Sequence, residues 1–364
     1  MPDEKARLLV GGVTYEGWTS VRVSRSMGQL SGTFELAVTD RYPGQPQRYA
    51  FRLGDSCKLA LRGQTVITGH LEDITPQFDT GQHGITLRGR DTTGDLVDCS
   101  HLGPPSQWRE QNLLTIAQDL CRPFGITVAA EASVGAPFAD VRTNEGDTVL
   151  AFLARLCRQR GLLPLSYGDG RLVLARAGSR GGGGRLEEGG NIKAARGEFS
   201  DRARFSSYQV KAHGASPAMP ERTLTAAEKE EFRKAYGSYL SPQGQATDSA
   251  VKRYRPLVVM AETKATAESA QARADYEAGV RAGRGQRYHV TTQGWGPGES
   301  DLWQINRLVP LKSPLLGVDR QLLIEGVDYA SEAQNGTTAE LHLVHPDAYL
   351  SQPAKAGEIT GGFS

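Results

Sequence analysis

The chain lacks several features that mark particular classes of protein. Its 42 lysines and arginines nearly balance 41 aspartates and glutamates, so the formal net charge is +1. A dedicated nucleic-acid binder usually carries a clear basic excess. No stretch approaches the length of a membrane span, and the N-terminal MPDEKARLLVGG has no long apolar core, unlike a secretory signal. We therefore expect no membrane insertion and no tight binding of nucleic acid.

Cysteine is scarce, and the few residues present form no recognisable pattern. Cys57, Cys99, Cys121 and Cys157 are far apart and contain no CxxC pair. Such spacing favours free thiols made in a reducing compartment over a disulfide framework or a zinc site.

The sequence also lacks the motifs of common catalytic and phosphate-binding sites. It contains neither GxSxG nor HExxH, although a spatial Ser-His-Asp triad needs no local motif. RGGGGR, residues 180–185, has no following Lys-Ser/Thr and is not a phosphate-binding loop. Arg180 and Arg185 could contact a polyanion, but a solvated linker is the favoured interpretation.

A cluster of acidic residues in GRDTTGDLVDCSHLG, residues 89–103, is the strongest candidate for chemistry. Asp91 ends a strand, and Asp95 and Asp98 lie one turn apart if GDLVD starts a helix. Paired carboxylates can serve as acid and base or bind a metal. The structural alternative, which we favour, is that Asp95 caps a turn and the other charges pair with nearby arginines. Asp95→Ala should then disturb local folding without abolishing a reaction.

Two histidines close together raise the question of a metal site. His342 and His345 fall in ELHLVHPD, whose alternation is typical of a strand. Residues three apart on a strand face opposite sides, so these two cannot share a metal ion. We predict no metal site and no cofactor.

Two tryptophans flank a turn rich in glycine and proline. Trp295 and Trp303, in GWGPGESDLW, could form an exposed platform for stacking sugars or bases. We favour burial at the end of a barrel or in a subunit contact, where tryptophan is enriched.

The residues that are present predict a β unit, an insert and a second β unit. Alternating runs such as TSVRVSRSM, GTFELAVTD and HGITLRGRD give about six strands in the first hundred residues, as in a small barrel or sandwich. Helical spacing follows at Leu113, Ile116, Ala117 and Leu120, and again at Val149, Phe152, Leu153 and Leu156. Asp147 is the expected N-cap of the second helix and Gly161 its end, before a hairpin around 168–170. Residues 178–191 predict a flexible linker without core-forming side chains.

Three stretches together resemble the baseplate hub proteins of phage Mu-type contractile tails. They are RGRDTTGDLVDCS, the helix-hairpin at 144–176, and the succession GW, LWQIN, LLIEGVDYA and LHLVHPDAY from 294 to 349. The resemblance covers residues 8 to 350 in order. The helix-hairpin is also similar to the hub portion of type VI secretion spike proteins.

This resemblance implies a mainly β fold with α+β inserts and two tail-tube-like β-barrel domains per chain. The first barrel is assigned to 1–102, the insert of two helices and a hairpin to 103–178, and a Gly-rich linker to 179–194. The second barrel takes 195–348, with helical insertions at about 221–250 and 264–284, and a tail takes 349–364. The structural or interface candidates are Arg88, Arg90, Asp91, Asp95, Asp98, Trp295, Trp303 and Asn306.

The resemblance also implies a function without catalysis. Family members are trimers, and six barrels in a ring would join the hexameric tail tube to the trimeric membrane-piercing spike. The implied partners are further copies of the chain, the tube protein, the spike, other baseplate proteins and DNA passing through the lumen without specific binding. The implied location is the virion baseplate, assembled in the host cytoplasm from a late protein. Nothing after residue 350 is expected to encode a fused lysozyme or spike.

Three alternatives remain open on the sequence alone. One is a cell-wall-degrading tail enzyme that uses the acidic residues. Another is a carbohydrate- or nucleic-acid-binding module built on the tryptophans and arginines. The third is the hub of a tailocin or of a phage-derived secretion particle.

Overall fold

The computed structural model describes residues 5–39, 51–78, 83–211, 225, 243–260 and 266–350. These residues fall into two units. Unit 1 draws them from Met1–Cys157, Leu162–Gly197 and Arg287–His345, and unit 2 from Arg158–Gly161, Glu198–Gln286 and Pro346–Ser364. No helix of the described residues is both long and apolar enough to cross a membrane.

The first part of the chain is built from strands, as its alternation predicted. The buried positions repeat every second residue, which gives each strand one face toward the core. The strands are β1 (Ala6–Val10), β2 (Val13–Tyr15), β3 (Ser20–Ser26), β4 (Gln29–Thr39), β5 (Ser56–Leu61), β6 (Gln64–Phe78) and β7 (His83–Asp91).

A small α+β module follows with its own hydrophobic core. Its elements are α1 (Gly94–Asp98), β8 (Gln107–Gln111), α2 (Leu113–Cys121), a 3-10 turn (Arg122–Phe124), β9 (Val128–Ala130), β10 (Phe138–Arg142), α3 (Val149–Gln159), β11 (Leu163–Leu165) and β12 (Leu172–Ala175). The apolar faces predicted for both long helices are buried in one cluster. The predicted hairpin is confirmed, since β11 pairs antiparallel with β12.

One predicted boundary in this module is wrong by one residue. Asp147 does not cap α3, because the hydroxyl of Thr148 accepts the hydrogen bond from the amide of Ala151 at 3.2 Å. The predicted end is confirmed, since Gly161 adopts a left-handed φ of 63°.

The remaining strands and the last long helix complete the described chain. They are β13 (Leu186–Glu187), β14 (Ile192–Phe199), β15 (Ser207–Lys211), β16 (Gln243–Thr247), β17 (Pro256–Met260), α4 (Ala267–Arg284), β18 (Gln286–Gln293), β19 (Leu308–Ser313), β20 (Val318–Glu332), β21 (Gly336–Val344) and a 3-10 turn (Pro346–Tyr349).

The predicted helical insertions have different outcomes. The insertion at 264–284 is confirmed by α4, which starts with a capping box between Thr266 and Ser269. Most of the insertion at 221–250 lies outside the described residues, and its last part forms β16 and a turn. The predicted tail lies outside the described residues from 351 onward.

Thirteen strands of unit 1 form one sheet. Their hydrogen-bonded order is β14-β18-β21-β20-β3-β4-β7-β6-β5-β1-β2, with β19 beside β20 and β13 beside β19. The mainly β fold with α+β inserts is therefore confirmed. The two barrels are not closed among the described strands, because β3 pairs with β20 and joins the early strands to the late ones.

The strand order of this sheet contains an internal repeat. The short β2 lies beyond β1 at the end of the sheet and has no counterpart in the repeat. The other early strands run β3-β4-β7-β6-β5-β1 and the late ones β14-β18-β21-β20-β19-β13. Numbered within each set of six along the chain, both read second, third, sixth, fifth, fourth, first. The fifth strand has 15 residues in both sets, and its register shifts between Leu71 and Asp73 in β6 and between Ile324 and Gly326 in β20. A glutamate, Glu72 or Glu325, stands at each shift.

Unit 2 contains a separate three-stranded sheet, within the residues 195–348 that the resemblance assigns to the second barrel. In it β15 pairs antiparallel with β16 and parallel with β17. Val210 of β15 packs with Ala270 and Ala274 of α4 in a small core. Gly244 lies so close to α4 that a Cβ there would be 2.2 Å from the carbonyl of Ala270, which excludes a side chain.

Candidate interaction surface

The polar side of the large sheet forms an open concavity of about 550 Å³. It lies on β3, β4, β6, β7 and β20, whose alternate residues point away from the core. It is lined by Arg22, Val23, Ser24, Thr33, Phe34, Glu35, Glu72, Asp73, Arg88, Gly89, Arg90, Asp328, Tyr329 and Ala330. Because strands of both repeats contribute, this surface crosses the junction between them. We call it the sheet concavity.

Acidic partners neutralise the arginines of the sheet concavity. Arg88 donates to Glu35 across the β4·β7 pair at 2.7 Å, and Arg22 donates to Glu332 at 2.6 Å. The lining has three arginines and four carboxylates, namely Glu35, Glu72, Asp73 and Asp328. Exposed pairs of this kind stabilise a fold by at most about 1 kcal/mol each. Their main consequence is a surface without a basic excess.

Arg90 connects the sheet concavity to α1. Its guanidinium contacts Glu72 at 2.8 Å and Asp98 at 2.5 Å. The hydrogen bond that Arg90 donates to Asp98 is the largest of several effects that raise the pKa of Arg90. The predicted pairing of the acidic cluster with neighbouring arginines is thus confirmed for Asp98. Arg88 and Arg90 occupy alternate positions of β7, on one face as predicted.

Asp91 is the structural centre of the acidic cluster. Its side chain is buried, with the residue 2% exposed. One carboxylate oxygen accepts from the amide and hydroxyl of Thr93, each at 3.1 Å, and the other accepts from the Ser166 hydroxyl at 3.0 Å. Burial raises the pKa of Asp91 against the effect of these bonds and of Arg25. The carboxylate therefore ties the end of β7 to the hairpin of the α+β module.

Arg25 reinforces the same attachment. It donates to the carbonyls of Ser166 and Tyr167 at 2.7 and 2.6 Å. Burial lowers the pKa of Arg25. At the tip of the hairpin, a Cβ on Gly168 would lie 1.9 Å from the Val66 carbonyl, so only glycine fits this contact.

Asp95 does not have the role expected from the sequence. The N-cap residue of α1 is Thr93, which makes no side-chain cap bond. Asp95 is exposed in the first turn. The prediction that Asp95 caps the turn is therefore wrong, because the buried Asp91 supplies the carboxylate that holds the turn.

The tryptophans are core residues of unit 1. Trp295 and Trp303 are 0% and 1% exposed, so neither forms an open stacking platform. The Trp295 indole donates to the Ala330 carbonyl and the Trp303 indole to the Thr292 hydroxyl, each at 3.0 Å. Tyr329 donates to the Trp303 carbonyl. The loop between β18 and β19 is thereby fixed against β20.

Asn306 holds the chain that leaves the α+β module. It is fully buried and adopts a left-handed φ of 63°. Its amide donates to the Tyr167 hydroxyl and the Arg176 carbonyl, each at 3.0 Å, and its carbonyl accepts from Gly178 at 2.7 Å.

The Gly-rich linker is exposed along most of its length but is anchored by Leu186 and Arg180. Leu186 is fully buried, which overturns the prediction that residues 178–191 hold no core-forming side chain. Arg180 donates to Glu131 at 2.5 Å and stacks 3.4 Å from the centre of the Tyr167 ring. The four cysteines are free, as predicted, and three of them are buried.

A histidine pair missed by the sequence reasoning lies beside the sheet concavity, where His342 contacts Asp328. His289 of β18 stands directly opposite His342 of β21, with ring centres 4.8 Å apart. With Glu340 they form the one cluster of the described residues that could hold a metal ion, since their ligand atoms lie within 4.8 Å of one another. His289 and His342 are 53 positions apart in the chain, so only strand pairing brings them together.

Comparison with known proteins gives matches along most of the chain. Family models match at residues 5–91 (Mu phage baseplate assembly protein GpP-like, N-terminal), 93–176 (baseplate hub protein gp44-like, second domain) and 265–352 (Mu phage baseplate assembly protein GpP, fourth domain). The baseplate hub protein gp44 of Escherichia phage Mu is 33% identical over 366 residues, covering 98% of this chain and 93% of its own.

Solved structures agree with these matches. The 43 kDa tail protein of prophage MuSo2 from Shewanella oneidensis is 35% identical, with a TM-score of 0.81 over 96% of this chain and all of its own. A type VI secretion component of E. coli, the c3393 protein, shares the fold at 11% identity, with a TM-score of 0.53 over 95% of this chain and 79% of its own.

Proposed function

Because the chain belongs to the baseplate hub family of Mu-type phages, we propose that it forms a trimeric ring with pseudo-sixfold symmetry. The ring would join the hexameric tail tube on one face to the trimeric spike on the other and surround the path of the DNA. It would assemble in the host cytoplasm as a late protein and work without catalysis. The same ring would serve an infectious phage, a tailocin or a phage-derived secretion particle.

The observation that carries this proposal is the repeated strand order. Two sets of six strands with the same order give each chain two similar building blocks. Three chains then supply six blocks, which is what a threefold ring needs to match a hexameric tube. We assign the first block to the six early strands within 1–102 and the second to β13, β14 and β18 to β21, so that the second block begins at Leu186 and not at 195.

The pairing of β20 with β3 joins the two repeats within one chain, and we propose that the equivalent strands pair between neighbouring chains. The first half of β20 pairs with β19, and beyond its bulge it pairs with β3, from Gly326–Ser26 to Glu332–Ser20. In the other repeat, β6 corresponds to β20 and β14 to β3. We propose that β14 of one copy adds to the second half of β6, residues 73–78, of the next copy.

The second half of β6 has the exposure expected of such an edge. It pairs with β7 on one side, while β5 reaches only to His70. Phe78 is 82% exposed. The equivalent residue of β20, Ser331, is instead paired with Val21 of β3. Pro76 lacks an N–H group, which is typical of an edge guarded against indiscriminate pairing. β14 ends the strand order of the described sheet at the opposite side.

The charges of the sheet concavity support a conduit rather than a DNA-binding site. Affinity for duplex DNA comes largely from cations that replace the counterions of the phosphates. Here the arginines are engaged by carboxylates. If this side of the sheet faces the lumen, DNA can pass without being held. The same ion pairs, with the buried Asp91, give the acidic cluster a structural role in place of the enzymatic one.

Light scattering on the purified protein tests the ring and its edge contact together. We expect a mass three times that of the 39.3 kDa chain. The double variant Thr75→Lys/Phe78→Lys places cations on the proposed edge and should lower the mass to that of one chain. Leu315→Lys, at a site that is 84% exposed, is the matched control and should leave the trimer intact.

The outcomes separate the two parts of the proposal. A wild-type protein that stays a monomer at all accessible concentrations would argue against the ring. A trimer that persists in the folded double variant would keep the ring and reject the β6 edge as its contact.

A further inference from the structure

Strand geometry sets three potential metal ligands around one point of the large sheet. Glu340 and His342 are two residues apart on β21 and therefore share a face. His289 stands directly opposite His342 on β18 and diagonal to Glu340. The ligand atoms of the three lie within 4.8 Å of one another. Two residues of β21 and one of β18 thus place three potential ligands on one face of the sheet.

We propose that His289, Glu340 and His342 bind a divalent transition-metal ion, for which Zn²⁺ is the natural probe. Imidazole nitrogen and carboxylate oxygen are ligands that Zn²⁺ takes at about 2.0–2.2 Å. Side-chain rotation alone can bring the three ligand atoms onto one ion, because the backbone positions are already adjacent. Three protein ligands leave a coordination position for water or for a donor from another molecule.

A further carboxylate prepares His342 for this role. The Oδ2 atom of Asp328 lies 2.6 Å from Nε2 of His342, and the Ser24 hydroxyl donates to Oδ1 of Asp328 at 2.5 Å. A carboxylate that accepts the Nε2–H of an imidazole fixes its tautomer and leaves Nδ1 with a lone pair for a metal. Asp328 is therefore a positioning residue held in turn by Ser24.

The accessibility of the cluster suits an ion arriving from solvent. The side chains of His289 and His342 are 17% and 33% exposed, and that of Glu340 is 46% exposed. The rings lie edge to face, with their centres 4.8 Å apart. No buried entry path is required.

The internal repeat provides a comparison for these positions. Glu35 and Arg88 occupy the equivalent pair in the early strands and form an ion pair at 2.7 Å. In the late strands, His289 and His342 take the places of Glu35 and Arg88, and they lie beside Glu340 and Asp328. The late pair therefore contains no arginine. A bound cation would supply that positive charge.

Titration calorimetry of the tag-free protein with ZnCl₂ tests the proposal. We expect one ion per chain, and about 100-fold weaker binding in His289→Gln and in His342→Gln. Asp328→Asn should weaken binding by about 10- to 100-fold, as loss of an orienting partner does. His345→Gln is the matched control, since that residue lies beyond the end of β21 and outside the cluster, and it should bind as the wild type does.

Thermal unfolding gives a second readout, because an ion that binds only the folded state raises the melting temperature. The rise should be seen in the wild type and in His345→Gln and be absent in His289→Gln. The absence of a stoichiometric site, or a site that survives in His289→Gln and Glu340→Gln, would overturn the proposal and leave the cluster as a cross-strand His–carboxylate contact. If His342→Gln fails to fold, those two variants decide the matter.

Discussion

At the scale of the residue, the acidic cluster shows how burial sorts similar side chains into different roles. Asp91 is 2% exposed and accepts from Thr93 and Ser166, whereas Asp98 lies at the surface and pairs with Arg90. Asp95 is exposed. A buried carboxylate with several donors is costly to remove because the donors lose their partner.

The first prediction concerns these aspartates. Asp91→Ala should lower the free energy of unfolding by about 2–4 kcal/mol, because it leaves the amide of Thr93 and the hydroxyl of Ser166 buried without their acceptor. Asp95→Ala, the matched control, should change it by less than about 0.5 kcal/mol. Urea denaturation followed by circular dichroism measures both. Equal losses in the two variants would show that Asp91 is not the structural centre of the cluster.

At the scale of the element, α3 depends on a residue that the sequence pattern placed one position away. Thr148 accepts from Ala151 at the helix start, and Asp147 instead accepts from Asn144 and lies 3.4 Å from Arg155. The apolar face of α3 was correctly predicted, because it depends on the spacing of apolar residues over three turns and not on which single residue caps the helix.

A second prediction follows for this helix. Thr148→Ala should cost about 1 kcal/mol of stability, because the first turn of α3 loses a cap. Asp147→Ala should cost less, since its ion pair with Arg155 is partly exposed. Chemical denaturation of the two variants compares them directly. A larger loss for Asp147→Ala would restore the sequence-based assignment of the cap.

At the scale of the whole molecule, the proposed conduit would combine balanced charge with a repeated strand order. The repeat supplies pseudo-equivalent surfaces, and the ion pairs keep the sheet concavity close to neutral.

The third prediction concerns DNA. The wild-type protein should bind duplex DNA no better than a Kd of about 10⁻⁴ M at physiological salt, the weak end of non-specific binding. The variant Glu35→Gln/Glu72→Gln/Asp73→Asn frees Arg88, removes one of the two acidic partners of Arg90 and gives the sheet concavity a basic excess. It should bind about 10-fold more tightly or better, with a steeper salt dependence. Fluorescence anisotropy with a labelled duplex measures both.

The control for this experiment neutralises three exposed acids away from the sheet concavity. Glu110→Gln/Glu299→Gln/Asp319→Asn changes the net charge by the same amount. If it gains as much affinity as the first variant, the effect comes from net charge and not from the sheet concavity. Tight binding by the wild-type protein would contradict a passive conduit.

The elements of this protein could largely be predicted from sequence, because alternation and helical spacing are local signals. The strands from β3 to β7, the faces of α2 and α3 and the hairpin after α3 all follow from such patterns. The family resemblance rested on the same local stretches. The sequence also showed that Asp91 and Asp98 belong to one acidic cluster. It did not show that Asp91 pairs with Ser166, which lies 75 residues away.

What the sequence by itself determined was the kind of each element and which of its faces is apolar, since these depend on neighbours within a few residues. Only the tertiary structure decided that β3 pairs with β20, that Leu186 is buried in the linker and that His289 faces His342. These contacts join residues far apart in the chain. Their energies depend on strand register and burial, and neither quantity is encoded in a local pattern.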